Sequence, residues 1–207
     1  AASLRKTYAE TSSKFYAEYD SNMKDLRKAA GKVSGTDFQL DKSDIKTNAD
    51  GSKTYSDRLK NAISNVKDLV NEYNETSDFL RENKSLGKGV QQLTTEFSDT
   101  TYKADSYAKM GITVDAKTGK MSVNESRLAR ALTDSPAQSE AILGKGGLAG
   151  RADRHAQYAQ MARSRVIPSM QQAIGGQLDY AANMLNGRSL PTMQRYSNIL
   201  NLFSIYV

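Results

Sequence analysis

The sequence predicts a mostly α protein, an elongated antiparallel helical bundle or coiled coil with one small β-hairpin. Two observations lead to this prediction. Long segments repeat apolar residues at alternating spacings of four and three, the 3.5-residue period of helices that pack along a seam. One short stretch in the middle of the chain instead alternates apolar and polar residues around a polar loop, which is typical of a hairpin.

The amino-acid composition limits the type of fold and the kinds of site that the chain can contain. The 207 residues are 38% hydrophobic and 8% aromatic, which favours amphipathic helices over a thick globular core. The absence of cysteine excludes disulfides and thiolate metal sites. The chain starts at Ala1, shows no signal peptide and has no apolar run near the roughly 18 residues of a membrane span. We therefore expect a soluble, trimmed fragment with no membrane partner.

The net charge of +6 is unevenly distributed. Residues 145–207 carry seven basic residues against two acidic ones, which leaves +1 for residues 1–144. A nucleic-acid interface would need clustered charges with interleaved aromatic residues or a known motif, and neither is evident. We expect a solvated helix face and no nucleic-acid partner; a basic helical DNA-associated protein is the least favoured alternative.

A first helix is expected over residues 1–32, because apolar residues recur at helical spacing until Gly31, which should end it. Four aromatic residues on this helix favour packing against a partner helix over an exposed contact surface. They are Tyr8, Phe15, Tyr16 and Tyr19. Residues 33–56 are polar and rich in turn residues, including Asp50-Gly51, so we expect a polar loop or a small hairpin there.

Residues 57–109 are expected to form an antiparallel helical hairpin that turns near Asn83 to Gly89. Both arms carry the four-three spacing. The first arm contains Leu59, Ile63, Val66, Val70, Tyr73, Ser77 and Leu80. The second arm contains Leu86, Val90, Leu93, Phe97, Thr100, Ala104 and Tyr107.

Residues 110–132 combine a β-hairpin with a capped helix. Two short alternating segments flank a polar loop that ends at Gly119, a residue suited to the left-handed position of a turn. The alternating apolar residues are Ile112, Val114, Met121 and Val123. Asn124 then stands at the N-cap position, and Glu125 places a negative charge in the first helical turn.

Residues 133–207 are expected to be helical with interruptions. A capping box from Ser135 to Gln138, with proline at the first helical position, opens a short helix over 136–143. Pro168 should kink the long helix that follows, and a last helix should begin near Pro191.

The final residues are apolar around most of the helix circumference. Such a surface has to be covered, either by the protein's own bundle or by another subunit or partner protein. We predict an oligomer or partner contact at Leu202, Phe203, Ile205, Tyr206 and Val207.

Candidate catalytic and metal-binding residues are scarce. His155, the only histidine, lies on the seam of an alanine-rich helix, where we expect a packed or half-exposed ring and not a base or ligand. The acidic residues lack the spacing of a calcium loop. The glycines at 144–147 precede a helix and could in principle bind an anion, but they lack a phosphate-loop pattern and are interpreted as a joint. We predict no enzyme activity, cofactor or metal.

The central stretch contains Gly111-Ile112-Thr113, Asp115, Gly119 to Glu125, Leu128 and Ala131-Leu132. This pattern resembles the signature of the flagellar filament cap protein family, also called hook-associated protein 2, in its C-terminal region. The resemblance continues upstream in Ala62, Val66 to Asn71 and Tyr73-Asn74, and downstream in Ser135-Pro136, Ala141 to Leu143 and Gly146 to Ala149. It covers about residues 55–165. Asn124 replaces the family's usual Asp and keeps the capping chemistry.

The resemblance implies a structural protein of the bacterial flagellum that is exported without a cleaved signal and assembles as a ring-like homo-oligomer at the filament end. Its implied partners are further copies of itself, flagellin and other hook-associated proteins. The family's β-rich head domains are absent here or reduced to a loop, which leaves a single leg-like helical domain over residues 1–207. The alternative is a secreted helical adhesion or binding module without capping activity.

Overall fold

The computed structural model describes residues 2–173 of the chain, and helices dominate this range. The helices are α1 (Ala2–Ser34), α2 (Asp57–Glu82), α3 (Lys88–Glu96), α4 (Ala104–Lys109), α5 (Glu125–Asp134), α6 (Pro136–Leu143) and α7 (Leu148–Ala162). The antiparallel hairpins are β1 (Ile45–Thr47) with β2 (Lys53–Tyr55), and β3 (Ile112–Val114) with β4 (Met121–Val123). Short 3-10 turns cover Lys42–Asp44, Lys84–Leu86, Asp99–Lys103 and Arg163–Arg165. The predicted mostly α fold is confirmed.

Four helices enclose the core. α1 packs against α2 and α7, and α3 contacts the same two helices from the other side. α1 and α3 are therefore diagonal, and the bundle has one outer seam between α1 and α2 and another, on the opposite side, between α3 and α7. The four-three spacing predicted for α2 gives a continuous buried stripe. Its buried residues are Leu59, Ile63, Val66, Val70, Tyr73, Ser77 and Leu80.

Helix α1 runs three residues beyond Gly31, so the predicted end at this glycine is wrong. Ala30 and Val33, on either side of Gly31, are fully buried. Burying these side chains outweighs the roughly 1 kcal/mol that glycine costs inside a helix. The helix ends instead at Ser34, and the N–H of the following Gly35 donates to the Gly31 carbonyl at 3.0 Å.

The aromatic residues of α1 serve packing, as predicted. Phe15 is 1% exposed and stacks on Phe79 of α2 with ring centroids 5.4 Å apart. Tyr19 is fully buried and donates its hydroxyl hydrogen to the carbonyl of Ala159 on α7. These two side chains therefore join α1 to both neighbouring helices.

The second arm of the predicted helical hairpin is not one helix. α3 ends at Glu96, a 3-10 turn follows at Asp99–Lys103, and α4 has only six residues. The Ser98 hydroxyl donates to the Thr95 carbonyl at 2.7 Å, a local bond that competes with the helical ladder. The apolar spacing still identifies the inward face, because Ala104 is half-buried and the other six residues of the stripe are buried.

Residues 33–56, predicted as a polar loop or small hairpin, contain the β1–β2 hairpin. Gly51 has φ 82° in its turn, a conformation that favours glycine. The carboxylate of Asp44 is buried and accepts hydrogen bonds from the Ser56 hydroxyl and, at 3.0 and 3.1 Å, from Arg58. Because Ser56 is also the N-cap of α2, this network fastens the hairpin to the start of that helix.

The central β3–β4 hairpin and its capped helix form as predicted. Among its alternating residues, Ile112 and Met121 are buried, and Val114 and Val123 are half-buried. Gly119 has φ 72°, the left-handed conformation expected at the end of the loop. The side-chain oxygen of Asn124 accepts from the Arg127 N–H at 3.0 Å, which confirms the predicted N-cap of α5.

Two predictions for the later helices are wrong. Ser135 is the N-cap of α6 and Pro136 takes the first helical position, but the serine side chain makes no capping hydrogen bond. Its ψ of 64° lies outside the extended region from which an N-cap hydroxyl reaches the helical amides. α7 ends at Ala162 in a 3-10 turn, so Pro168 does not kink a continuous helix. The helix predicted from Pro191 lies outside the described residues.

Replacing Val66 with Asp should lower the free energy of unfolding by about 3–5 kcal/mol, because the new carboxylate would be buried without a partner. Val66 and Val70 are 1% and 2% exposed, so Val70→Asp should act in the same way. Thermal melting followed by circular dichroism measures the effect. Ser64→Asp, at an exposed position of α2, is the matched control and should melt close to wild type. Small changes in both core variants would contradict the bundle.

Asn124→Ala should destabilise the protein by about 1 kcal/mol, because the Arg127 N–H would lose its partner. Asn124→Asp should be neutral or mildly stabilising, since Asp also caps a helix and adds negative charge at the positive end of the helix dipole. Urea denaturation of the three proteins tests this. Equal midpoints would show that the cap adds nothing to stability.

Candidate interaction site

The contact predicted at residues 202–207 lies outside the part of the chain that the structure describes. Besides the Asp44 network described above, two further groups of polar side chains converge within residues 2–173. One is a cluster around Asp99, and the other is the contact between α2 and the β3–β4 hairpin. Both hold neighbouring elements against α2.

The Asp99 cluster joins three elements. Asp99 opens the 3-10 turn between α3 and α4, Tyr73 lies on α2, and α7 supplies two residues one helical turn apart. The Oδ2 atom of Asp99 accepts from Arg151 Nη1 at 2.7 Å and lies 3.0 Å from His155 Nε2. The Oδ1 atom accepts from the Tyr73 hydroxyl at 3.2 Å. The side chains of Asp99, Arg151 and His155 are 20–23% exposed, so water screens these charges only partly.

The charge state of the cluster follows from its surroundings. Burial alone would raise the pKa of the Asp99 carboxyl, but the hydrogen bonds and charges of His155 and Arg151 outweigh it and hold the pKa below its ordinary value. Burial, followed by the charge of Asp99, raises the pKa of the Tyr73 hydroxyl well above its ordinary range. At neutral pH an ionised carboxylate therefore sits among groups that donate to it.

The arrangement is suited to holding helices together. A catalytic Asp–His pair acts through a nucleophile next to the histidine. Here the ring of His155 packs against Phe97, with centroids 5.3 Å apart, and the nearby Tyr73 hydroxyl donates to Asp99. His155 is thus packed and partly exposed, as predicted. Across residues 2–173, no group of three or more potential ligands is placed to hold a metal, and no helix combines the length and apolarity needed to cross a membrane.

The side chain of Asn74 pairs with the β3–β4 hairpin as a further strand would. Its Nδ2 donates to the Met121 carbonyl at 2.8 Å, and its Oδ1 accepts from the Met121 N–H at 2.9 Å. One amide therefore satisfies both outward-facing backbone groups at the start of β4. The neighbouring Tyr73 reaches Asp99, so two successive residues of α2 contact two different elements.

Further contacts fix the loop of the hairpin. Arg81 of α2 donates to the Thr118 carbonyl at 2.7 Å, and the Thr100 hydroxyl donates to the Gly119 carbonyl at 2.8 Å. Thr100 is fully buried and belongs to the same 3-10 turn as Asp99. The turn and α2 thus hold the loop from two directions.

Gly111 lets α5 lie close to the start of β3. Its φ is 72°, and a Cβ atom placed there would lie 2.6 Å from the Cβ of Arg127. A larger residue would therefore be strained by its backbone and would also collide with α5. Gly111 belongs to the stretch that carries the family resemblance, and its role in the structure is this close approach.

Sequence reasoning missed the Asp99 cluster. Asp99 belongs to no recognisable sequence motif, and Arg151 is one of the seven basic residues in the range 145–207. The available signal was the spacing of Arg151 and His155, four residues apart and so on one face of a helix. The Tyr73-Asn74 pair was recognised as part of the resemblance, without a contact assigned to it.

Asp99→Asn should lower the free energy of unfolding by about 2 kcal/mol at neutral pH, because Arg151 and His155 lose their negative partner. Since the pKa of Asp99 is depressed in the folded protein, its stabilisation is present above the ordinary carboxyl pKa of about 4 and is lost as the pH falls through the folded value. The difference between variant and wild type should therefore shrink in acid. Urea unfolding over a range of pH measures it.

The control for this experiment is Asp105→Asn, an exposed position on α4 with no ion pair inside the described range. It should differ little from wild type at any pH. A destabilisation by Asp99→Asn that stayed constant through the acidic range would contradict the electrostatic role of the cluster.

Comparison with known families assigns part of the chain to one family. A family model described as flagellar hook-associated protein 2 C-terminus matches residues 79–199. Curated proteins and solved structures give no significant match. The matched range contains the β3–β4 hairpin, Asp99 and α7, whereas Tyr73 and Asn74 precede it. Because the match spans more than half of the 207 residues, the chain belongs to the flagellar hook-associated protein 2 C-terminus family.

Proposed function

We propose that this chain is the leg-like structural part of a flagellar cap protein, which forms homo-oligomers at the filament end and assists the insertion of flagellin. The observation that carries the proposal is the family match over residues 79–199. The proposed mechanism is geometric: the protein positions subunits and catalyses no bond chemistry. Its proposed place is outside the cell, on the flagellum.

The contacts between α1 and the segment that follows α7 support a positioning role. Tyr8 donates to the Pro168 carbonyl at 2.6 Å, and Arg163 holds Asp20 through two bonds of 2.7 and 2.9 Å. The Arg163 guanidinium also lies 4.4 Å from the ring centroid of Tyr16. An exposed ion pair alone contributes at most about 1 kcal/mol. Several such contacts along a helix of 33 residues, about 50 Å long, favour a stiff frame.

The short connection between α1 and α2 supports a proposal about which part of the cap this chain supplies. It contains the short β1–β2 hairpin, and the buried Asp44 network fastens it to α2. Where the family resemblance implies large head domains, this chain has about twenty residues. We propose that its contribution to assembly rests on the surfaces of the helical bundle.

The assembly contact is proposed at Leu202, Phe203, Ile205, Tyr206 and Val207. These side chains would remain in water unless the chain's own bundle or another protein covers them. A contact between subunits fits a family that works by association. The alternative, coverage by the chain's own core, gives a different result in the same experiment.

Deleting residues 202–207 separates the two cases. If the segment is an assembly surface, the truncated protein should melt nearly as wild type does but lose its higher-order species in analytical ultracentrifugation. If it belongs to the protein's own core, melting temperature should fall while the oligomer distribution stays the same. Phe203→Asp should behave like the deletion. Ser204→Asp, which adds the same charge at a neighbouring polar position, is the matched control.

Filament growth in a strain that lacks the native gene tests the assembly role itself. Full-length protein should restore filaments in electron micrographs, and the truncated protein should not. A full-length chain that stays monomeric at high concentration, both with and without flagellin, would overturn the proposal and favour a secreted binding module.

A further inference from the structure

A groove lies on the outer seam between α3 and α7. It has a volume of about 250 Å³, and the buried side chains of Leu93 and Val166 contribute to its lining. Tyr158 stands at its side, 41% exposed, with its hydroxyl accepting from Gln92 Nε2 at 3.1 Å. The groove thus combines an apolar floor with an aromatic ring held in place by a hydrogen bond.

The groove is basic. Lys88 and Arg165 line it, and its described lining contains no acidic residue. On α7, Arg154, Tyr158 and Met161 follow one another at spacings of four and three, so they share one face, and Arg165 lies in the 3-10 turn that follows the helix. Met161 is 76% exposed. Within residues 2–173, none of these three cations forms an ion pair, whereas Arg151 and Arg163 on the same segment do.

The opposite seam, between α1 and α2, is acidic. Asp25, Glu72 and Glu75 form no ion pair within residues 2–173, although Asp68 lies 3.7 Å from Lys32. Burial first, and then the charges of Glu75, Asp25 and Asp68, raise the pKa of Glu72, while Lys32 offsets part of this effect. Like charges are therefore crowded on this seam and would gain from a positive surface.

We infer that the basic groove between α3 and α7 of one copy receives the acidic α1–α2 seam of a second copy. Lys88, Arg154 and Arg165 would face Asp25, Glu72 and Glu75, and Tyr158 with Met161 would supply apolar contact between them. The occupant is a second copy because one chain carries both complementary surfaces, with three cations on one and three carboxylates on the other that form no ion pair within residues 2–173.

The position of the two seams sets the type of assembly. They lie on opposite sides of the bundle, since α1 is diagonal to α3. A contact between opposite faces is heterologous, so each copy can bind one neighbour on each side. Repetition of such a contact closes into a ring or continues as a helix. The inference rests on the homo-oligomer of the proposed function and assigns its lateral contact to particular surfaces.

Charge reversal tests the pairing. The groove variant carries Lys88→Glu and Arg165→Glu, the seam variant carries Glu72→Lys and Glu75→Lys, and the swapped variant carries all four changes. All four side chains lie at least partly in water, so circular dichroism should report folded proteins. Lys46→Glu with Lys53→Glu, on the exposed β1–β2 hairpin, matches the charge change of the groove variant.

Sedimentation velocity at low ionic strength measures association. The groove and seam variants should each associate about tenfold or more weakly than wild type, because like charges would face each other. The swapped variant should recover association, as should a mixture of the two single-surface variants, in which each meets an opposite charge. Added salt should weaken wild-type association, since these charges are exposed. The hairpin control should associate like wild type.

The outcomes distinguish this inference from the proposed function. If wild type associates and the groove and seam variants associate equally well, the inference is wrong and the proposed homo-oligomer remains. Losses in both variants without recovery in the swapped chain or the mixture would also overturn it, because the two surfaces would then bind other partners, such as an acidic segment of a different protein. A wild-type chain that never associates would overturn the proposed homo-oligomer itself.

Discussion

Helix α2 packs against other helices through apolar side chains and also hydrogen-bonds to the β3–β4 hairpin and to the turn after α3. The rest of the structure depends on this double constraint. Its apolar stripe is buried against α1 and α3. The side chains of Asn74 and Arg81 hydrogen-bond to the backbone of the β3–β4 hairpin, and Tyr73 reaches the turn that follows α3. Apolar burial supplies the drive to pack, while these directional bonds fix the orientation of each element.

Patterns that depend on one helix at a time were predictable from the sequence. The α2 stripe and the Asn124 cap were found because each follows from spacing or chemistry within a few residues. The end of α1 was not, because it depends on the burial of Val33 in the folded core, which carries the helix past Gly31. The break after α3 was missed because hydroxyl side chains such as Ser98 bond locally and interrupt a stripe whose burial continues.

The Asp99 cluster could not be predicted from the sequence, for a different reason. Asp99 draws its partners from 26, 52 and 56 residues away, so no local pattern joins them. Their meeting depends on how three elements pack, which spacing alone does not define. By contrast, the absence of a local chemical motif around His155 correctly led us to expect a packed ring, and the structure shows it against Phe97.

The contact between Asn74 and Met121 has a consequence for a protein proposed to work where copies are crowded. A two-stranded sheet offers free backbone groups along its outer edges, and such an edge can accept a strand from a neighbouring molecule. At the first residue of β4 both groups are already taken by the Asn74 amide. Strand addition is hindered at this point of β4, because a strand from a neighbouring copy would first have to displace the Asn74 side chain.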